Sequence, residues 1–311
     1  MPVLLKEAIE FLAVKPGGTY IDATVGLGGH GFELARCLGP RGRLIGLDKD
    51  PQALEVARER LRPPAGLEDN WPEVRLLHSS FAEVAGHVEE QTADGLLADL
   101  GLSSLQLADA ARGFSFQADG ALDMRMDPGS GLTAEQVVNQ LSERELADLI
   151  YEFGEERRSR RIARAIVRSR PIHTSKQLAE VVAAASRPMI HPTAGKTGPR
   201  RGPRQSERIH PATRTFQALR IFVNHELEDL RALLESAPRV LRPGGRLVVI
   251  SFHSLEDRMV KDALRDAAQQ GAYRLLTKKP VTAAEEEVAR NPRSRSAKLR
   301  AAEKMRPAAA I

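Results

Sequence analysis

Tyr20-Ile21-Asp22-Ala23-Thr24-Val25-Gly26-Leu27-Gly28-Gly29-His30-Gly31 decides how the rest of the chain is read. A short apolar run ends in an acid and passes into a glycine-dense turn. Phe32-Glu33-Leu34-Ala35-Arg36 then takes up helical spacing. Strand, glycine turn and helix form the opening unit of a nucleotide-binding α/β sheet. Glycines let the backbone turn sharply and approach a ligand with no Cβ in the way. Arg43-Leu44-Ile45-Gly46-Leu47-Asp48 reads as the next strand and again ends in an acid. Asp48 stands at the distance downstream where a carboxylate accepts hydrogen bonds from ribose hydroxyls. The pattern predicts an adenosine-containing cofactor.

Gly26, Gly28 and Gly31 fit G-x-G-x-x-G, which alone is a common turn. Asp22 separates the candidates. A carboxylate at the end of the first strand repels the phosphates of a dinucleotide but suits a sulfonium and an ammonium. S-adenosylmethionine carries both charges and no phosphate, so a methyltransferase leads. An NAD-dependent oxidoreductase and a non-enzymatic RNA-binding module stay open at this point.

Outward from the turn, strands alternate with helices. Residues 3–12 predict an amphipathic helix, and residues 52–61 another that starts at Pro51. Val74-Arg75-Leu76-Leu77 reads as the third strand, followed by Phe81. Ala93-Asp94-Gly95-Leu96-Leu97-Ala98-Asp99 reads as the fourth. Ligands of open α/β sheets lie at the carboxyl ends of the strands, so Asp22, Asp48, Phe81 and Asp99 should converge on one crevice. The alternation stops near Ser103, and helices are predicted over 133–139, 142–153, 155–169 and 175–185. Thr133 with Gln136 and Ser142 with Glu145 have capping-box spacing. Residues 191–210 are rich in Pro, Gly and Arg and read as an exposed loop. One long helix is expected over 213–234, then a strand over 246–252 and a late edge strand at 273–276. Residues 291–300 read as a basic tail.

The chain has 311 residues, with 42% hydrophobic and 28% charged, the balance of a globular protein of one large or two modest domains. No apolar run reaches the roughly 20 residues of a membrane span. Residues 1–7 lack the basic and apolar regions of a signal peptide, and a single cysteine fits a reducing, cytoplasmic compartment. Cys37, beside Leu34 and Leu38, is expected to be a small core residue. The net charge of +5 is unevenly spread. Residues 155–214 hold 15 Lys and Arg against 4 Asp and Glu, a balance of +11, which leaves −6 for the rest. A basic block on an acidic remainder points to a polyanion, most often a nucleic acid.

Further motifs make a family visible. These are Pro2-Val3-Leu4-Leu5, Gly28-Gly29-His30, Asp99-Leu100-Gly101-Leu102-Ser103-Ser104 with Gln106-Leu107, Arg112-Gly113-Phe114-Ser115-Phe116, and Leu122-Asp123-Met124-Arg125-Met126. Gly154-Glu155-Glu156-Arg157, residues 210–221 from His210-Pro211-Ala212-Thr213-Arg214, Ser251-Phe252-His253-Ser254-Leu255-Glu256-Asp257-Arg258, and Arg295-Ser296-Ala297-Lys298-Leu299-Arg300 complete the set. Together they resemble the bacterial RsmH (MraW) methyltransferases of small-subunit ribosomal RNA, from one end of the chain to the other. Leu105 and Ala121 depart, standing where that family is expected to carry proline.

The resemblance implies an α/β class I (Rossmann-like) S-adenosylmethionine-dependent core with an inserted all-helical domain. The core is expected over 1–106 and 213–311, and the insertion, with a role in RNA recognition, over 107–212. It implies N4-methylation of a cytidine near the P site of 16S rRNA, alone or in the small subunit; no membrane segment, metal site or obligate protein partner is readable in the sequence. Cofactor contacts carry over onto Gly28, Gly29, His30, Asp48, Phe81, Asp99 and Gln106.

The chemistry explains what such a site must supply. The exocyclic N4 lone pair of cytosine is delocalised into the ring, so the amine must be placed in line with the methyl and given a hydrogen-bond acceptor. Asp99 or a neighbouring backbone carbonyl is the candidate acceptor; the alternative is that Asp99 binds only cofactor. Arg125, Arg214, His253 and Arg258 are candidate substrate contacts, although the arginines could pair with nearby acids and His253 could be structural. Phe114 and Phe116 could stack a flipped base, but pinning a loop to the core is the favoured reading.

Overall fold

The computed structural model describes residues 1–187 and 210–306. Of the Arg-rich loop expected over 191–210, residues 191–209, with Arg200, Arg201 and Arg204, lie outside the described residues. The chain divides into two compact units: residues 1–105 with 227–311, and residues 106–226. The helical unit thus runs to Glu226, whereas the sequence pattern closes the insertion at 212.

The first unit is built on a seven-stranded sheet: β1 (Thr19–Asp22), β2 (Arg43–Asp48), β3 (Glu73–His78), β4 (Ala93–Asp99), β5 (Leu241–Ser251), β6 (Tyr273–Leu275) and β7 (Lys298–Lys304). Their spatial order is β3-β2-β1-β4-β5-β7-β6. β1 to β5 run parallel, and β7 lies antiparallel between β5 and β6. The order reverses between β1 and β4, and that switch point is where an open α/β sheet opens its ligand crevice. Two apolar layers cover the sheet. One includes Ile21, Leu47, Leu96 and Val249 with Leu230 and Leu233; the other includes Tyr20, Leu34, Leu44, Leu97 and Ile250. Strands buried on both faces read as continuous apolar runs, which is why β4 and β5 stand out in the sequence.

Helices α1 (Leu5–Leu12), α2 (Gly29–Leu38), α3 (Pro51–Arg60), α4 (Val84–His87), α11 (Glu226–Val240), α12 (Ser254–Gln269) and α13 (Glu285–Arg290) accompany the sheet. Asp50 caps α3 by accepting from the amide of Gln52 at 3.0 Å, with Pro51 at the first helical position. Cys37 is exposed, contrary to expectation. Leu34, Ala35 and Leu38 form the buried stripe of α2, and Cys37 falls outside it.

Two further expectations fail for identifiable reasons. The tail is not merely basic: residues 298–304 are β7, and Leu299, Ala301 and Ala302 are fully buried. Arg300 is buried as well, its charge met by Asp257 at 2.7 Å. The helix expected over 213–234 is two helices. His225 adopts φ 54° and separates α10 (Thr213–Asn224) from α11. No Gly or Pro marks that break, so apolar periodicity runs straight through it.

In the second unit, α6 (Ala134–Gln140), α7 (Glu143–Gly154), α8 (Ser159–Arg168), α9 (Ser175–Ser186) and α10 pack around Val137, Leu146, Ile150, Ile162, Ile166, Leu178 and Leu219. Both expected capping boxes form, and Thr174 with Gln177 makes another at α9. The loop over 112–127 is wound on two buried posts. Arg112 donates to the carbonyls of Arg125 (3.0 Å) and Met126 (2.8 Å). Asn224 donates to the carbonyl of Met124 (2.8 Å) and accepts from the amide of Met126 (2.6 Å). Phe114 is buried, and Phe116 stacks on His210 and meets Phe216 edge-on. Both rings pin this loop, the favoured reading of the pair.

Candidate active site

The crevice is assembled at the carboxyl ends of β1, β2 and β4. Neighbouring strands are tied to the turn beyond β1: Ala23 N–H donates to Leu97 O and Val25 N–H to Leu47 O, both at 2.8 Å. Thr24 Oγ1 accepts from the amide of Asp99 at 2.6 Å. Gly28 sits at the N-cap of α2 with φ 75°, a conformation L side chains rarely adopt. Gly29 is required by a close approach, since a Cβ there would stand 2.7 Å from Pro2 Cγ. The Pro2-Val3-Leu4-Leu5 motif is thereby explained: the N-terminal segment lies against the glycine turn.

Three acids face this crevice and differ in their partners. Asp48 is tied down, Oδ2 accepting from Gly26 N–H and Oδ1 from Asp50 N–H, each at 2.8 Å. Asp22 is buried, and Oδ1 accepts a long bond of 3.3 Å from Thr24 N–H. Its Oδ2 and the Oδ1 of Asp99 are buried with no hydrogen-bond partner among the described residues. Burial, the largest influence, pushes Asp22 up to about 7, with the neighbouring Asp48 adding to it and the backbone amides of Thr24 and Gly31 pulling against it. Burial likewise raises Asp48 to about 6, against the pull of its two amide bonds. Asp99 is raised well above the usual carboxylate range by burial and by the charges of Asp22 and Glu256. Its side chain as a whole keeps 22% exposure, so it is Oδ1 that is enclosed.

His30 completes the cluster. It is buried, and burial lowers its pKa to about 4, so the ring is neutral. Nε2 lies 3.0 Å from the carbonyl of Val3, which can only accept, so Nε2 carries the ring proton. Nδ1 then presents a lone pair to Asp99 Oδ2 at 3.4 Å. That approach is no salt bridge, because the imidazole is neutral and offers Asp99 only a lone pair. The His30 imidazole is spent on Val3 and Asp99, so a cofactor contact at this position falls to the backbone.

The remaining expected residues are distributed as follows. Phe81 begins a short 3-10 turn after β3 and is half-buried against the core. Beside it Ser80 Oγ donates to Asp229 at 2.6 Å, and Lys49 meets the same carboxylate at 2.5 Å. Gln106 is buried on α5 (Ser104–Ala108), where the helical unit begins. His253 caps α12, its Nδ1 facing the amide of Glu256 at 3.5 Å and its enclosed Nε2 lying 3.1 Å from Glu256 Oε1. Arg258 is exposed on α12. Arg125 and Arg214 lie in the helical unit. Arg125 is engaged by both oxygens of Asp123 at 2.8 Å, and Arg214 donates to the carbonyl of Glu155 at 3.2 Å. Sequence reasoning missed Glu256, whose buried carboxylate accepts from the amides of Phe252 and His253. A histidine followed three residues later by Glu is an unusual capping box, and that spacing was the available signal.

The whole chain matches one family. Residues 1–305 fit the MraW methylase family. The chain belongs to it. A ribosomal RNA small subunit methyltransferase H of Koribacter versatilis is 66% identical over 302 residues, covering 96% of this chain and 92% of the relative. One of Acidobacterium capsulatum is 62% identical over 305 residues, covering 98% of each. Among solved structures, an rRNA methylase from Clostridium thermocellum has 13% identity and a TM-score of 0.48, covering 99% of each chain.

S-adenosylmethionine is the cofactor of this methylase, and the donor set fits it. Partnerless carboxylate oxygens of Asp22 and Asp99 suit a sulfonium and an ammonium, and Asp48 suits ribose hydroxyls. The same acids beside the glycine turn are wrong for a pyrophosphate. Antiparallel β7 also replaces the second parallel mononucleotide half that an NAD enzyme would use.

Proposed function

We propose that this chain methylates the exocyclic N4 of a cytidine near the P site of 16S rRNA, giving N4-methylcytidine. The observation that carries the methyl-transfer half is the pair of enclosed, partnerless oxygens, Asp22 Oδ2 and Asp99 Oδ1, at the sheet's switch point. The RNA half is supported by the name of relatives more than 60% identical over nearly the whole chain. The N4 and P-site assignments follow the motif resemblance and the chemistry of the site. Bound S-adenosylmethionine supplies an electrophilic methyl group. The protein's part is to position the amine and to accept its hydrogen bond.

Asp48 holds the ribose, its orientation fixed by two amides. Asp99 is the acceptor for an N4 hydrogen: Thr24 holds its backbone amide at the strand end, and His30 Nδ1 lies 3.4 Å from its Oδ2. An acceptor there returns electron density to nitrogen as the carbon–nitrogen bond forms. His253, Arg258, Arg125 and Arg214 are assigned to the RNA. Arg125 would do so while paired to Asp123, which fixes its guanidinium plane.

The test is mass spectrometry of small-subunit rRNA from cells lacking the gene and from cells with it restored. N4-methylcytidine should vanish and return. Retention of the modified base in the deletion would overturn the assignment.

A further inference from the structure

Residues 291–300 carry Arg293, Arg295, Lys298 and Arg300 and no acid, inside the part of the chain that is otherwise net negative. The structure sorts these charges into two kinds. Lys298 and Arg300 are neutralised by one carboxylate, Asp257, at 3.0 and 2.7 Å. Arg293 is exposed, and its guanidinium rests on a neutral partner, donating from Nη1 to Ser104 Oγ at 2.6 Å. Arg295 is also exposed, and no acid among the described residues pairs with it.

These two arginines are rigidly presented. They flank Ser294, which is fully buried and donates to the carbonyl of Asn291 at 2.8 Å, on a 3-10 turn over Pro292–Ser296. Ala297 beyond it is fully buried. The turn is fastened at its other end too. Asn291 donates to the carbonyl of Met1 at 3.2 Å, and Glu287 accepts from the amide of Leu4 at 2.8 Å. Little backbone freedom would be given up on binding a ligand. Ser104 is the first residue of α5 and lies five residues after Asp99 in the chain, so Arg293 is joined to the segment that follows the strand-end acid of β4.

We propose that Arg293 and Arg295 form a phosphate clamp on the cofactor-binding unit, holding the RNA backbone next to the target nucleotide. This rests on the RNA-methylation reading above and adds a second electropositive surface to the basic helical unit. A forked guanidinium on a neutral hydroxyl keeps donors for a phosphodiester, and no carboxylate has to be displaced first. Ser104 serves as a positioning residue that turns Arg293 toward the loop.

The experiment compares wild-type protein with Arg293→Ala/Arg295→Ala and Arg293→Lys/Arg295→Lys. Equilibrium binding to deproteinised small-subunit rRNA is measured across a salt series, with calorimetric S-adenosylmethionine affinity and thermal melting as controls. The double alanine variant should bind RNA about tenfold more weakly at low salt. Its log–log salt slope should be shallower by about 1 to 1.5, at roughly 0.7 for each single-strand phosphate no longer neutralised. The double lysine variant should keep most of the slope, and cofactor affinity and melting should not change. An alanine variant with wild-type affinity and slope overturns the clamp. Small-subunit rRNA from cells lacking the gene is digested and analysed in parallel. Retention of N4-methylcytidine in that rRNA would count against the function itself and not against the clamp.

Discussion

The crevice acids of the sheet unit and Asp123 of the helical unit are held in opposite ways. In the helical unit, burial works to raise Asp123, but the bonds from Arg125 outweigh it and the carboxyl ends below its usual range. Arg112 and Asn224 likewise spend their donors on carbonyls of the 112–127 loop. At the crevice, Asp22 and Asp99 are lifted by burial, and each keeps an oxygen that no group among the described residues satisfies. A buried polar group costs free energy unless it is hydrogen-bonded. A satisfied network therefore marks architecture, whereas orphaned carboxylates mark where a cation belongs.

The contrast is broken most directly at Asp99. Asp99→Asn keeps the shape and removes the charge, and single-turnover methyl transfer at saturating cofactor should fall by about 100-fold or more. An unchanged rate would leave Asp99 as a cofactor or structural residue only. Asp48→Ala removes a charged hydrogen-bond acceptor worth roughly 1.5–3 kcal/mol, so S-adenosylmethionine affinity should drop by about tenfold or more. Unchanged calorimetric affinity would remove Asp48 from the ribose site.

On the helical side the readout is reversed. Arg112→Met leaves the carbonyls of Arg125 and Met126 without this donor, at a cost of about 1.5–3 kcal/mol that should lower the melting temperature while cofactor affinity holds. A variant that melts normally would mean the 112–127 loop is held by other interactions. The smallest effect is expected from Thr133→Ala, which breaks the capping box of α6 at a cost of about 1 kcal/mol, seen as a small shift in denaturant midpoint.

Parts of this contrast were legible in the sequence and parts were not. Strand-end acids, the glycine turn and the Thr133 and Ser142 caps are local patterns, and the structure places them as read. β7 was hidden because Lys298 and Arg300 look like surface charges until Asp257, distant in sequence, is seen to neutralise them. The break at His225 was hidden because a left-handed histidine carries no glycine signal. The tie of His30 to Val3 and Asp99 was hidden for a related reason: its partners lie 27 and 69 residues away, and a histidine in a glycine turn reads as a cofactor contact.

Protonation of the crevice tests the central claim. Asp22 near 7 and Asp48 near 6 bind more protons folded than an unfolded carboxylate near 3.9. Stability of the cofactor-free protein from these groups is therefore fullest below about pH 4 and is lost as pH rises toward 7. A cation bound against them favours the carboxylate and reverses that trend, so affinity should strengthen as pH climbs through about 6 to 7. The decisive measurement is calorimetry of S-adenosylmethionine binding at about pH 6.5 in buffers of different ionisation enthalpy. The orphaned acids predict net proton release on binding, reduced in Asp22→Asn. Binding with no proton release, and an affinity flat from about pH 5.5 to 8, would contradict the account.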